Sequence, residues 1–230
     1  MYKVNCVVLA AGKSTRMNMD LNKQFLEIMG KPVIYYSLLK FLKHEYINKI
    51  ILVLSADSEK YCKENVINKF FPNENIQVVY GGERRQDSVL NGLKHVNSDY
   101  VLIHDGARPF LTNETISKGI EKAYEYGASS CYVTPKDTIK YNNNNEIFSL
   151  EREKLLCIQT PQCFKRSILL SAYDYVNKHK INITDETSVL DLIGEKVYYY
   201  LGEYFNIKIT TKEDLYFGNI ILNNILGDKS

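Results

Sequence analysis

Two cations, Arg16 and Lys23, follow a run of very small residues, Ala10-Ala11-Gly12, which ends an apolar run from Val4 to Leu9. An almost wholly apolar run of that length suits a strand buried on both faces of a sheet. Small residues let a charged ligand approach the main chain, whose successive N–H groups can cradle phosphate oxygens. Arg16 and Lys23 would add full positive charge at the same place. The stretch reads either as a triphosphate site at the carboxyl end of a first strand, or as an ordinary turn with solvated basic residues. Asp105 also follows an apolar run, Tyr100 to His104, and precedes Gly106. A carboxylate there suits a divalent cation bridging triphosphate oxygens; aspartate after a strand is equally a common turn former.

The elements that must position these residues alternate. Ile50–Leu54, Ile76–Tyr80, Tyr100–His104 and Ser129–Thr134 read as further strands. Helical spacing marks Lys31–Lys43, Ser58–Phe70, Ser88–Val96 and Asn113–Tyr126, with Gly127 at a C-cap position. This alternation predicts an α/β fold with a doubly wound, mainly parallel but mixed sheet. Ligands of such sheets bind beyond the carboxyl ends of the strands. The loops Ala10–Lys23, Gly81–Ser88 and Asp105–Arg108 all follow strands, so they are expected on one rim.

From Thr134 to Phe164 the rhythm changes. Two extended segments flank the polar tract Asn142–Asn145, which predicts a protruding β-hairpin arm over about residues 136–160. A disordered asparagine-rich loop is the plainer alternative. An arm must bury its apolar side chains somewhere, and a second copy of the chain is the natural partner. Beyond the arm, helices are expected at Lys165–His179, Thr187–Ile193 and Lys212–Leu226, a strand at Lys196–Leu201, and an extended piece at Asn206–Thr210. No internal repeat or linker is evident, so one domain spanning 1–230 is expected.

Composition excludes several classes. Of 230 residues, 45% are hydrophobic and 24% charged, and the formal charge is +2, which offers no global attraction to nucleic acid or an anionic membrane. No run approaches the roughly 18 apolar residues that span a bilayer, and the N-terminus makes a poor signal peptide. The five cysteines include no C-x-x-C. Cys6, Cys131 and Cys157 sit among apolar neighbours and are expected to be buried. A reducing, cytoplasmic setting follows as the expectation. His44, His95, His104 and His179 lack metal-ligand spacing.

Taken in order, LAAGKSTRM, NKQF, GGERRQDSV, HDGARPF, TPKDTIK, Glu151-Arg152 before QTPQ, TDETS and FNIKITT cover nearly the whole chain. This ordered set resembles the 2-C-methyl-D-erythritol 4-phosphate cytidylyltransferase family, which implies a Rossmann-like nucleotidyltransferase fold. It also implies CMP transfer from CTP to a polyol phosphate in the non-mevalonate route to isoprenoids, with Mg²⁺ and a homodimer joined through the arm. The ribitol 5-phosphate cytidylyltransferases share many of these motifs. Ala10-Ala11-Gly12 and Thr184-Asp185-Glu186 lean toward the erythritol enzymes. A nucleotide-binding regulatory subunit is the non-catalytic alternative, and no G-x-G-x-x-G supports a dinucleotide protein.

By that resemblance Arg16 and Lys23 stabilise charge at the α-phosphate, and Ala10, Ala11, Gly12 and Gly106 line the nucleotide. Gly81, Gly82 and Glu83 line the base and ribose, with Ser88 either touching the base or capping a helix. Asp105 holds the metal. Arg152 and Lys208 clamp the second substrate's phosphate, and Thr138 and Thr184 take its hydroxyls. Arg85 either contacts phosphate or pairs with Asp87, and Arg108 either contacts ligand or pairs with an acid. Two departures stand out: Ser14 where many relatives have glycine, and Glu151 where aspartate is usual.

Overall fold

The computed structural model describes residues 2–12, 22–144 and 146–227. Arg16 and Ser14, and the expectations attached to them, lie outside the described residues. Strand β1 (Val4–Ala10) is followed by a short hairpin of β2 (Glu27–Ile28) and β3 (Lys31–Pro32), then by α1 (Val33–Leu42). Next come β4 (Ile47–Leu54) and α2 (Ala56–Cys62), which runs through a π-helical turn at Lys63–Ile67 into α3 (Asn68–Phe70). Strand β5 (Ile76–Tyr80), α4 (Arg85–Leu93), β6 (Tyr100–Asp105), α5 (Asn113–Tyr126) and β7 (Ala128–Val133) continue the alternation. The arm is a hairpin of β8 (Lys140–Asn143) and β9 (Glu146–Ser149). The chain closes with β10 (Cys157–Lys165), α6 (Arg166–His179), α7 (Glu186–Leu192), β11 (Tyr198–Leu201) and α8 (Lys212–Gly227).

Seven strands form one sheet in the order β11-β7-β10-β6-β1-β4-β5. Pairs β1–β4, β1–β6, β4–β5 and β7–β11 are parallel, and β10 alone runs antiparallel, between β6 and β7. The sheet is thus mixed and mainly parallel, as expected. The central strands bury both faces: Val4, Cys6 and Val8 of β1 pack with α1, α2 and α5, and Val7 packs against Val89 and Leu93 of α4 on the other side. A third cluster, with Ile28, Val33, Phe110 and Ile209, seats α8 through Ile221 and Leu222.

Two expectations change. The arm's return leg does not stay in the arm: from Cys157 it enters the main sheet, so the arm ends before that residue. Helix α4 begins at Arg85, so Ser88 lies within its first turn. Asn206–Thr210, expected only as an extended piece, lies outside the sheets of the described residues. One thiol differs as well, since Cys157 is exposed while Cys6, Cys62, Cys131 and Cys163 are buried; all five are free.

Candidate active site

Hydrogen bonds tie the loops at the strand ends together. Gln24 donates from Nε2 to the Ala10 carbonyl at 2.6 Å, and Asn22 donates from Nδ2 to Ser58 Oγ at 2.6 Å. Lys23, between them, opens a 3-10 turn (Lys23–Phe25) whose Phe25 is buried. The chain therefore returns to the end of β1 carrying Lys23, as the sequence implied. A Cβ on Gly81 would lie 2.5 Å from Ala11 Cβ and 2.8 Å from Ser88 Oγ, so only glycine lets these two loops close on each other. Gly12 has open space around its Cα.

The Gly81–Ser88 segment is held from within. Ser88 Oγ accepts from Gly82 N–H at 3.1 Å and donates to the Arg84 carbonyl at 3.2 Å. Its hydroxyl is buried and shapes the loop. Glu83 is exposed. Arg84, at the N-cap of α4, pairs with Asp87 at 2.7 Å, a partnership the sequence offered to Arg85. Arg85 turns inward and forks onto Glu186, with Nη1 to Oε1 at 2.6 Å and Nη2 to Oε2 at 2.9 Å. Glu186 is fully buried and also accepts from Tyr173 Oη at 3.1 Å.

Asp105 stands at the centre. Lys208 Nζ donates to its Oδ2 at 2.7 Å, Arg85 Nη2 lies 3.5 Å from Oδ1, and Arg108 Nε lies 3.8 Å from Oδ2. Burial alone would push this carboxyl's pKa up; Lys208, Arg85 and Arg108 outweigh it and hold the group below the usual carboxylate range. Burial also acts to lower Arg85, but Glu186 and Asp105 raise it well above its ordinary value. Arg108 is lowered by burial against the pull of Asp105, and its Nη1 donates to the Asn206 carbonyl at 2.7 Å. Gly106 is committed too: its N–H donates to the Leu9 carbonyl at 2.9 Å.

Arg85, Asp105, Arg108, Thr160, Thr184 and Lys208 line a cavity of about 330 Å³. Asp185, also at its wall, caps α7 by accepting from Ser188 N–H at 3.1 Å, and takes Thr187 Oγ1 at 2.7 Å and Gln162 Nε2 at 3.0 Å. Lys208 and Thr184 thus join Asp105 as the sequence implied. Arg85 and Thr160 join them as well; Thr160 sits in the QTPQ motif, but nothing in one sequence shows that it reaches the cavity. Arg152 and Thr138 do not line this cavity. Arg152 donates from Nη1 to the Lys136 carbonyl at 2.8 Å and pairs with Glu153 at 3.3 Å, and Thr138 is exposed on the arm. Glu151 pairs with Lys154 at 2.7 Å.

The donor set does not fit a resident divalent ion. Among the described residues no three His, Cys, Asp or Glu side chains gather for one, and of the two carboxylates at the cavity Asp105 already faces three cations while Asp185 is engaged by Ser188, Thr187 and Gln162. A cluster of cations around one buried anion suits phosphate instead.

A family model described as 2-C-methyl-D-erythritol 4-phosphate cytidylyltransferase matches residues 4–224. The chain belongs to that cytidylyltransferase family. It is 48% identical over 229 residues to the enzyme of that name from Clostridium botulinum (strain Langeland / NCTC 10281 / Type F), covering 98% of this chain and 100% of that one. The Clostridium novyi (strain NT) enzyme of that name is 49% identical over 225 residues, covering 96% and 97%. Among solved structures, the 4-diphosphocytidyl-2C-methyl-D-erythritol synthase of Anaerococcus prevotii DSM 20548 superposes with a TM-score of 0.86 at 32% identity, covering 96% of each chain. The fold and family implied by the motifs are therefore those found.

Proposed function

We propose that this cytidylyltransferase moves CMP from CTP to 2-C-methyl-D-erythritol 4-phosphate. A phosphate oxygen of the acceptor attacks the α-phosphorus. A new P–O bond forms there, the bond to the bridging oxygen breaks, and its electron pair leaves with pyrophosphate. The nucleophile is already an anion near neutral pH, so no general base and no covalent intermediate are needed. The protein's work is to neutralise charge and align two phosphates that repel each other.

The observation that carries this reading is the meeting of Lys208, Arg85 and Arg108 in one cavity at the strand ends. In it Lys208 takes the acceptor's phosphate, and Thr184 one of its hydroxyls. Ala10, Ala11, Gly12, Gly81, Gly82, Glu83 and Gly106 form the nucleotide's walls, and Lys23 and Arg16 stabilise charge at the α-phosphate, the role the motif implies for both. Asp105, rather than gripping a metal, keeps Lys208 in place until phosphate arrives. Mg²⁺ enters bound to the triphosphate, as part of the substrate. Arg152 and Thr138 complete the site of a neighbouring subunit in a homodimer. Exposed apolar side chains on and beside the arm, Tyr141, Ile147, Phe148 and Leu150, support that partner. No helix of the described residues is long and apolar enough to cross a membrane, and five free thiols suit a cytoplasmic enzyme.

The test offers the protein CTP and Mg²⁺ with methylerythritol 4-phosphate or with ribitol 5-phosphate, and measures pyrophosphate. Release with the first alone is expected. Release with ribitol 5-phosphate alone would move the enzyme to the sister activity, and silence with both would make the chain a nucleotide-binding regulator.

A further inference from the structure

His104 is fully buried on β6, edge-on to the Phe41 ring of α1 with 5.0 Å between ring centres. It does not line the cavity, yet its two ring nitrogens reach two residues that do. Nε2 lies 3.1 Å from the Arg108 carbonyl oxygen, and Nδ1 lies 3.0 Å from Thr160 Oγ1. A carbonyl oxygen can only accept, so Nε2 must carry the ring proton. In the neutral ring Nδ1 is then a bare acceptor, and the Thr160 hydroxyl must donate to it. The Thr160 oxygen is left to accept, and the Asp105 N–H donates into it at 3.1 Å.

One assignment of protons therefore satisfies every contact in the chain Asp105 N–H, Thr160, His104, Arg108 carbonyl. The chain starts and ends on the same four-residue loop, the one that carries Asp105 and Arg108 into the cavity. Other contacts also hold that loop: Arg108 N–H to the Asp105 carbonyl at 3.0 Å, Ile209 N–H to the Ala107 carbonyl at 2.8 Å, Gly106 N–H to the Leu9 carbonyl at 2.9 Å, and Ser37 Oγ at 3.2 Å from the Gly106 and Arg108 carbonyl oxygens. His104 thus shares the Arg108 carbonyl with Ser37, while among the described residues it alone engages the Thr160 proton. Burial pushes the imidazole pKa down to about 4; Asp105 and the bond to Arg108 pull it up, and the Arg108 and Lys208 charges push it down. The ring is neutral at neutral pH, as the proton assignment requires.

We propose that His104 is a positioning residue of the acceptor pocket, holding the Asp105–Arg108 loop and fixing the Thr160 hydroxyl as an acceptor. A hydroxyl whose proton is already engaged accepts from a polyol hydroxyl and repels a phosphate oxygen. Thr160 therefore marks the hydroxyl end of the acceptor substrate, opposite the cationic end at Lys208. The substrate orientation rests on the cytidylyl-transfer reading above; the proton assignment does not.

Two isosteric variants separate the contacts. His104→Asn keeps an acceptor near Nδ1 and loses the donor to Arg108. His104→Gln keeps a donor near Nε2 and loses the acceptor for Thr160. In His104→Gln the KM for methylerythritol 4-phosphate rises about tenfold, with KM for CTP changed less than about threefold. Thr160→Val gives the same split, and the double variant costs no more than the worse single one, because both cut one bond. Folded variants with both KM values unchanged and only a lower yield of active enzyme would overturn the proposal. Should the variants fail to fold, ¹⁵N-imidazole spectra of the wild type decide. The ring in contact with Phe41 must be neutral and protonated on Nε2 at pH 7, and a proton on Nδ1 overturns the assignment. If the wild type turned over neither polyol phosphate, the catalytic reading would fall while that spectrum still tested His104.

Discussion

Asp105 is an odd neighbour for the phosphate proposed to bind at Lys208, since like charges repel. Its use follows from what it holds. Before substrate arrives, Lys208 has a buried carboxylate at 2.7 Å to fix its ammonium in place. On the proposed reading, when phosphate takes that ammonium, Arg85 and Arg108 still compensate Asp105. Lys208→Ala is expected to lower kcat/KM about a hundredfold or more, the scale of losing one preorganised charge contact, while leaving the far-ultraviolet circular dichroism unchanged. Lys23→Ala should cost kcat a similar factor; near-normal turnover would remove Lys23 from the mechanism.

A second single-residue prediction concerns pH. His104 has a pKa of about 4 in the fold against 6.5 for a free imidazole. Between those values the unfolded chain holds a proton that the folded chain refuses. Stability from this group is complete above pH 6.5 and is lost as pH falls toward 4, by at most about 3 kcal/mol. Urea denaturation from pH 7 to 4 should show that slope in the wild type, and a shallower one in His104→Asn.

Elements decide which of two adjacent arginines works in the cavity. Because α4 starts at Arg85, Arg84 stays at its N-cap on Asp87 and Arg85 reaches across to α7. The sequence offers GGERRQDSV without saying which arginine turns inward, and the partner, Glu186, is 101 residues away. Glu186 is fully buried, and loss of its charge leaves Arg85 only the longer contact to Asp105. Glu186→Gln should destabilise the fold by about 3–5 kcal/mol in denaturant titration.

The apolar runs of β1, β4 and β6 were legible because strands buried on both faces need no alternation. Strand β10 was not, since it carries Gln159, Thr160, Pro161 and Gln162, and a proline argues against a central strand. The proline is tolerated because the pairing with β7 shifts register between Ile158 and Gln162. Cys157 read as buried from its neighbours, but it is the first residue of that strand and sits at the sheet's margin. The carboxyl-end rim was foreseeable from strand order alone. The division of labour between Thr160, Arg85 and His104 depends on side-chain direction, which a single sequence leaves open.

For the whole molecule, the decisive question is whether one chain makes one site. Arg152 lies on the arm, half exposed, and Lys208 lies in the cavity. Mixing Arg152→Ala subunits with Lys208→Ala subunits tests this. Each hybrid dimer would hold one site with both cations intact, so two nearly dead proteins should regain about a quarter of wild-type activity on statistical exchange of subunits. No recovery, with exchange verified by mass, would place Arg152 in its own chain's site or outside catalysis.

Strand β10 leaves the arm and runs directly between β6 and β7, carrying Thr160 with it. Whatever grips the hairpin therefore pulls on the same polypeptide segment that walls the cavity, with only a few residues between. Linkage then works in both directions: a docked second copy that sharpens affinity for the polyol phosphate by some factor must itself be held tighter by that factor once the polyol phosphate is bound. The subunit dissociation constant should fall on saturation with substrate, which sedimentation at graded protein concentrations would measure.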